Sequence, residues 1–270
     1  MQLFVFLKSG VEHKVLLPPP DAELLPGICW GSPCELFTPA YWYAQYLMSH
    51  SASFKSSHRI GRTFAEELTA CLLGGYGIPA EVGLAAFRRL RDESLISELC
   101  TDQQLLERRL REPLCVKGRR VRYRFWRQKA IYLSGVYSTL KTKDLPTGDA
   151  IKLKTELMTL PGIGPKTASW IVRNWLGSDQ VAILDIHVVR AGLLMKLFSP
   201  EDNVSKHYPD MEARFISLSQ ALGVPTSDLD ALIWGMMRET PKLVSRLLGA
   251  TLAMPRQPSN QAGPIRSQEV

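Results

Sequence analysis

Residues 2–17, QLFVFLKSGVEHKVLL, form two short strand-like runs around KSG, which predicts a hairpin. PPPDAELLPG then reads as a linker or irregular edge. Beyond it the apolar positions recur at helical spacing. Thr38 to Met48 predicts a helix with Thr38 as N-cap and Pro39 in the first helical position. Thr63 to Leu73 predicts another, closed by GGYG as a stop signal. Helical patterns follow at 80–91, 93–99, 101–111 and 122–140. Others lie before Leu160, after Lys166, and at 185–198, 209–222 and 226–238. The predicted fold class is mostly α with short connections, opened by a short strand-like segment. The tail from Pro255, rich in Pro, Gly, Ser and Gln, is expected to be disordered.

Composition narrows this picture only slightly. The 270 residues suffice for one large domain or two small ones, and 45% hydrophobic content allows a sizeable core. A formal charge of +7 permits a polyanionic partner without requiring one. No apolar run approaches the roughly 20 residues of a membrane span. The opening MQLFVFLKSG lacks the basic start and small-residue cleavage site of a signal peptide. The five cysteines, Cys29, Cys34, Cys71, Cys100 and Cys115, are scattered, so reduced thiols in a cytosol are expected rather than disulfides or zinc.

The densest signal is LPGIGPKTASW, residues 160–170, flanked on both sides by helical patterns. Gly162 and Gly164 allow backbone conformations closed to other residues, and let a phosphate approach closely. Pro165 suits the first turn of a helix, whose free N–H groups and dipole form an anion site. A tight turn without a ligand satisfies a bare GxG equally well. The added lysine and small-residue helix favour a DNA phosphate, held without reading sequence.

With its second half, VAILDIHVVR, the motif resembles the helix-hairpin-helix DNA glycosylase superfamily, which includes endonuclease III and the 8-oxoguanine DNA glycosylases. Asp185 follows Lys166 by nineteen residues, a spacing like that of the 8-oxoguanine enzymes. The resemblance is clearest over 122–238 and implies a two-lobed helix-hairpin-helix glycosylase fold. It further implies a barrel of residues 60–179 with the hairpin at about 150–176, and a second lobe joining 1–59 to 180–250.

The resemblance also assigns roles. Lys166 matches the lysine that attacks the sugar C1′ in bifunctional members, a role that needs a neutral amine. A solvated phosphate-binding lysine is the alternative. Asp185 matches the family's acidic residue, which stabilises positive charge on the sugar; it suits equally an N-cap for the helix that follows. His187 resembles a histidine near the DNA backbone, or is structural. Trp170, one helical turn after Lys166, matches a wall of the base pocket. Near the C-terminus Asp230 and Trp234 resemble an aspartate and a tryptophan that bind the base in archaeal 8-oxoguanine glycosylases. A purine between the two rings, with Asp230 on its edge, is the implied arrangement; core tryptophans are the alternative. Asp228, a rival to Asp230, reads as the N-cap of their helix. The basic run from Lys117, KGRRVRYRFWRQK, fits DNA phosphates or a solvated helix face.

Endonuclease III carries a four-cysteine iron–sulfur cluster after the catalytic aspartate. This chain has no cysteine beyond Asp185, so no cluster and no other cofactor is expected. The large N-terminal β domain of the eukaryotic enzymes also has no counterpart here; WGSPCELFTPAYW (30–42) stands in its place without an assigned role. The implied activity is excision of an oxidised purine, 8-oxoguanine, from double-stranded DNA, followed by strand cleavage through a Schiff base. A monomer in the cytoplasm is the expected setting. A glycosylase for a different modified base and a non-catalytic DNA-binding module are the competing readings.

Overall fold

The computed structural model describes residues 1–49, 58–75 and 77–253. The tail from Pro255 lies outside them. Strands β1 (Gln2–Lys8) and β2 (Val11–Leu17) pair antiparallel from Gln2↔Leu17 to Lys8↔Val11, as the alternation predicts. Ser9 and Gly10 turn the hairpin at φ 52° and 78°. The expected linker contains a small ribbon, β3 (Glu23–Leu25) with β4 (Ile28–Cys29).

Helices then dominate. Helix α1 (Pro39–Ser49) starts with Thr38 accepting from the Tyr41 N–H at 3.1 Å. Thr63 caps α2 (Phe64–Leu73) by accepting from Glu66 N–H, and Gly74 closes it. Helix α3 spans Ala80–Asp92, and α4 spans Gln103–Arg111 with Asp102 as its cap. Each such cap stabilises its helix by about 1 kcal/mol. The helix expected at 93–99 is instead a series of turns: Ser94 and Leu99 take φ of 61° and 49°, which α-helical hydrogen bonding does not accommodate. The basic run is a second correction. Its first half forms a hairpin, β5 (Leu114–Val116) with β6 (Arg119–Val121), turned at Lys117–Gly118. Helix α5 therefore begins at Trp126 and runs to Thr142, rather than starting at 122.

Helices α6 (Ala150–Leu157) and α7 (Pro165–Leu176) flank the glycine-rich turn. Helix α8 (Ile186–Leu194) stops before the predicted end, because Lys196 turns at φ 62° and Phe198 folds back onto Gly192. Helix α9 (Val204–Leu222) is kinked at His207, two residues before Pro209. Helix α10 spans Thr226–Glu239, and α11 (Pro241–Ala253) was not predicted. Asp228 is not the α10 cap: Pro225 occupies that position and Asp228 lies inside the first turn.

Two apolar clusters organise these elements. One gathers side chains from Leu68 on α2 through Tyr137 on α5 to Ile171 and Val181. The other joins Phe37 and Trp42 near α1 to α8, α9 and α10, with Met211, Phe215 and Ile233 fully enclosed. Helix α7 belongs to the first cluster, and its next connection, Ala182–Leu184, enters the second. The hairpin thus stands where the two clusters meet. Among the described residues no helix is long and apolar enough to cross a membrane.

Candidate active site

The turn between α6 and α7 is wound tightly. Leu160 N–H donates to the Leu157 carbonyl at 3.0 Å, and Ile163 N–H to the Leu160 carbonyl at 3.3 Å. Gly162 sits at φ 78°, and a Cβ there would lie 2.1 Å from Tyr132 Cδ2 of α5. Both facts require glycine. Gly164 differs from the expectation: its φ of −92° and ψ of 179° are extended backbone open to any residue. A Cβ on it would meet nothing within 4 Å, so the protein itself does not fill that space. Gly164 is the N-cap of α7, no side chain caps the helix, and Pro165 stands in its first turn. The positive end of α7 therefore faces outward uncapped.

Lys166 is half-buried just inside this end. It lines an open recess of about 250 Å³ with Gly74, Gly75, Phe125, Gln128, Lys129 and Thr167. The GGYG stretch, read from sequence only as a helix stop, makes the recess possible. A Cβ on Gly75 would sit 3.8 Å from Lys166 Nζ, and one on Gly74 would sit 2.8 Å from Trp170 Cη2. Burial pushes the Lys166 ammonium below the ordinary lysine value, and the Asp185 carboxylate pulls it back up. Lys129 is also pushed down, by burial and by repulsion from Lys166. A larger hollow of about 590 Å³ lies between the α5–α6 connection and α6. Its polar lining includes the surface ion pair Lys143–Glu156, so it offers nothing resembling a nucleophile with a base.

Asp185 caps α8, accepting from His187 and Val188 N–H groups at 2.8 and 2.9 Å. The capping expectation therefore holds, and the same carboxylate acts electrostatically on Lys166. The loop that carries it is fixed residue by residue. Ala182 N–H donates to Glu212 at 3.0 Å, and Tyr208 hydroxyl donates to the Ala182 carbonyl at 2.8 Å. Leu184 N–H donates to the Tyr208 oxygen at 3.3 Å, and Ile183 N–H to Asp230 at 3.2 Å. Glu212 also accepts from Ser169 of α7 at 2.7 Å and pairs with Lys154 of α6. One buried carboxylate thus joins both hairpin helices to the Asp185 loop.

The remaining candidates separate. Trp170 is half-buried against the first cluster, close over Gly74. Trp234 is 39% exposed, with the Arg238 guanidinium 4.3 Å above its ring, so it is not a core residue. His187 is half-buried at the start of α8. Asp230 is 2% exposed and faces Arg173 at 3.5 Å. Burial pushes its carboxyl up to about 7 against the pull of Arg173. In this structure α10 turns the Asp230 side chain inward, where it braces the loop before Asp185.

The sequence model of the family described as "Ogg-HhH: 8-oxoguanine DNA glycosylase" matches residues 48–224. The chain belongs to this family. Among curated proteins, it is 30% identical over 118 residues to the 8-oxoguanine DNA glycosylase/AP lyase of Metallosphaera sedula. That match covers 42% of this chain and 57% of the relative, so it spans little more than half the relative's length. The Thermotoga maritima 8-oxoguanine DNA glycosylase has a similar structure, at 26% identity and a TM-score of 0.50 over 64% of this chain and 78% of that one. The Methanocaldococcus jannaschii 8-oxoguanine DNA glycosylase (23% identity, TM-score 0.51, covering 74% and 84%) shares the fold. So does endonuclease III in a non-covalent DNA complex (18% identity, TM-score 0.53, covering 73% and 81%).

In this member of the Ogg-HhH family the residues that sequence reasoning missed are supports rather than motif positions. Gly74, Gly75, Gln128 and Lys129 shape the recess, and Glu212 and Tyr208 hold the Asp185 loop. Only the glycine pair carried a readable signal, and it had a sufficient local explanation as a helix stop. Among the described residues no group of three or more His, Cys, Asp or Glu is placed to hold a metal ion.

Proposed function

We propose that this chain is a bifunctional DNA glycosylase and AP lyase that removes an oxidised purine, 8-oxoguanine, from duplex DNA. The observation that carries the reading is Lys166 at an open recess with the Asp185 carboxylate acting on it electrostatically. The lysine is partly desolvated, and a carboxylate acts on it from a rigidly held helix cap. Phosphate binding alone needs neither feature.

In this reading the uncapped end of α7 receives a backbone phosphate at Gly164. The neutral Lys166 amine attacks the sugar C1′, the bond to the base breaks, and the base departs. Asp185 stabilises the positive charge that builds on the sugar and relays the amine proton. The sugar ring then opens by breaking the C1′–O4′ bond, O4′ taking a proton, and the resulting Schiff base permits loss of a C2′ proton and elimination of the 3′ phosphate. Trp170 and the exposed Trp234 supply stacking walls for the extruded base, each contributing about 1–3 kcal/mol, which offsets the few kcal/mol of unstacking. His187 lies along the DNA backbone. The chemistry requires no cofactor, and no iron–sulfur cluster is proposed because no cysteine follows Asp185. A monomer in the cytoplasm, acting on DNA, is the proposed setting.

One observation favours a second reading. Asp230 is enclosed in this structure, which suits a base recognised without that carboxylate. Borohydride trapping on duplexes that each carry one lesion separates the readings. A covalent adduct with 8-oxoguanine duplex, absent in Lys166→Gln, is the expected result. An adduct confined to another lesion favours the second reading. No adduct with any lesion, despite tight duplex binding, contradicts both.

A further inference from the structure

Lys129 was read from sequence only as one member of a basic run. The structure places it differently from the rest of that run. Lys117, Arg119, Arg120, Arg122, Arg124 and Arg127 are exposed, whereas Lys129 is half-buried. Lys117, Lys143 and Lys154 each pair with a glutamate, but no such partner meets Lys129 among the described residues. Its ammonium lies 5.9 Å from the centroid of the Tyr132 ring. A partly desolvated ammonium without a counterion is unfavourable unless something else requires it.

The requirement is visible in what Tyr132 does. Its ring packs where a Gly162 Cβ would be, which locks α5 against the hairpin turn. Gln128 donates to its hydroxyl at 2.7 Å. The α5 face bearing Gln128 and Lys129 is thereby fixed against the start of α7, and Lys129 and Lys166 line the same recess. We propose that Lys129 is a positioning residue for the chemistry: its ammonium, held beside Lys166, drives the proton off Lys166 before attack. The proton leaves to solvent through the open mouth of the recess.

Among the described residues the charges facing Lys166 are few. Helix α5 contributes Lys129, and the α8 cap contributes Asp185. Gly74 and Gly75 bring none, and Arg124, on the connection before α5, lies out against Gly77. Asp230 stands behind Asp185, enclosed and raised towards its neutral form. Asp185 favours the protonated Lys166 amine, while repulsion from Lys166 lowers the Lys129 ammonium. Repulsion between the two ammonium groups is mutual, so the pair holds fewer protons near neutrality than two isolated lysines would.

The proposal rests on the lyase reading of Lys166, and its test keeps the two apart. The pH dependence of Lys166 acetylation, read by peptide mass spectrometry, is measured in the free protein. Borohydride trapping on saturating lesion duplex is measured alongside it. Lys129→Gln is expected to raise both midpoints by about one pH unit, the size of a close charge effect. Lys129→Arg, which keeps the charge, is expected to retain the wild-type midpoints. Should Lys129→Gln fail to fold, Lys129→Met keeps the apolar stem and takes its place. Unchanged midpoints in the neutral variant overturn the proposal, including the case where only DNA affinity falls and Lys129 is a phosphate contact. Absence of any wild-type adduct contradicts the lyase reading, while the acetylation profile still decides the role of Lys129.

Discussion

Two rows of side chains run along α7, and they are treated in opposite ways. Ser169 and Arg173 form one row, and both are buried against carboxylates, Glu212 and Asp230. Lys166 and Trp170 form the other: Lys166 lines the recess beside Gly74 and Gly75, and Trp170 lies close over Gly74. The same contrast separates Lys154 and Lys166 of the hairpin. Lys154 on α6 is engaged by Glu212, whereas among the described residues the carboxylate acting on Lys166 is Asp185, itself occupied in capping α8. Polar groups enclosed against carboxylates make a scaffold. A partly desolvated amine left without a dedicated partner is a reagent.

The contrast can be broken from the scaffold side. Glu212→Ala removes the acceptor for Ser169 and Ala182 and leaves Lys154 half-buried and unpaired. A loss of about 3–5 kcal/mol is expected from removing one partner of a buried ion pair. It is measured by denaturant unfolding, with excision falling alongside as the Asp185 loop loosens. Activity unchanged in a destabilised variant would show that the loop does not need this brace.

A second test uses pH. The Asp230 carboxyl is raised to about 7 in the fold, against about 3.9 in an unfolded chain. The folded state therefore keeps a proton that the unfolded chain gives up between these values. Its contribution is fully present below about pH 4 and is lost as pH rises through about 7. The difference in unfolding midpoint between wild type and Asp230→Asn should fall across that window. A flat difference would mean that Arg173 holds Asp230 ionised throughout.

The smallest stability effect is expected on the open side. Trp234→Ala alters an exposed ring, so stability should stay within about 0.5 kcal/mol. Binding of the extruded base should weaken by about 1–3 kcal/mol, read as KM on lesion duplex with little change in kcat. A large fall in melting temperature would return Trp234 to the core.

Much of this was legible in the chain because it is local. The hairpin glycine, Pro165, the Asp185 cap and the initial β-hairpin all follow from neighbours a few residues apart. The failures are equally physical. Positive φ at Ser94 and Leu99 has no glycine to announce it. Lys117–Gly118 is a turn signal that the surrounding charges obscured. Asp230 and Asp228 look alike in sequence, and only the packing of α10 enclosed one of them. Gly74, Lys129 and Glu212 act through partners distant in sequence, Trp170, Lys166 and Ala182, so no window of the sequence contains both halves of the contact.

The most direct measurement locates the covalent bond. After borohydride reduction on an 8-oxoguanine duplex, peptide mass spectrometry of the trapped protein should place the adduct on Lys166 alone. Lys129 should remain unmodified, and Asp185→Asn should yield no adduct while still binding the duplex. An adduct on Lys129 or at the N-terminal amine would contradict the assignment of Lys166 as the nucleophile.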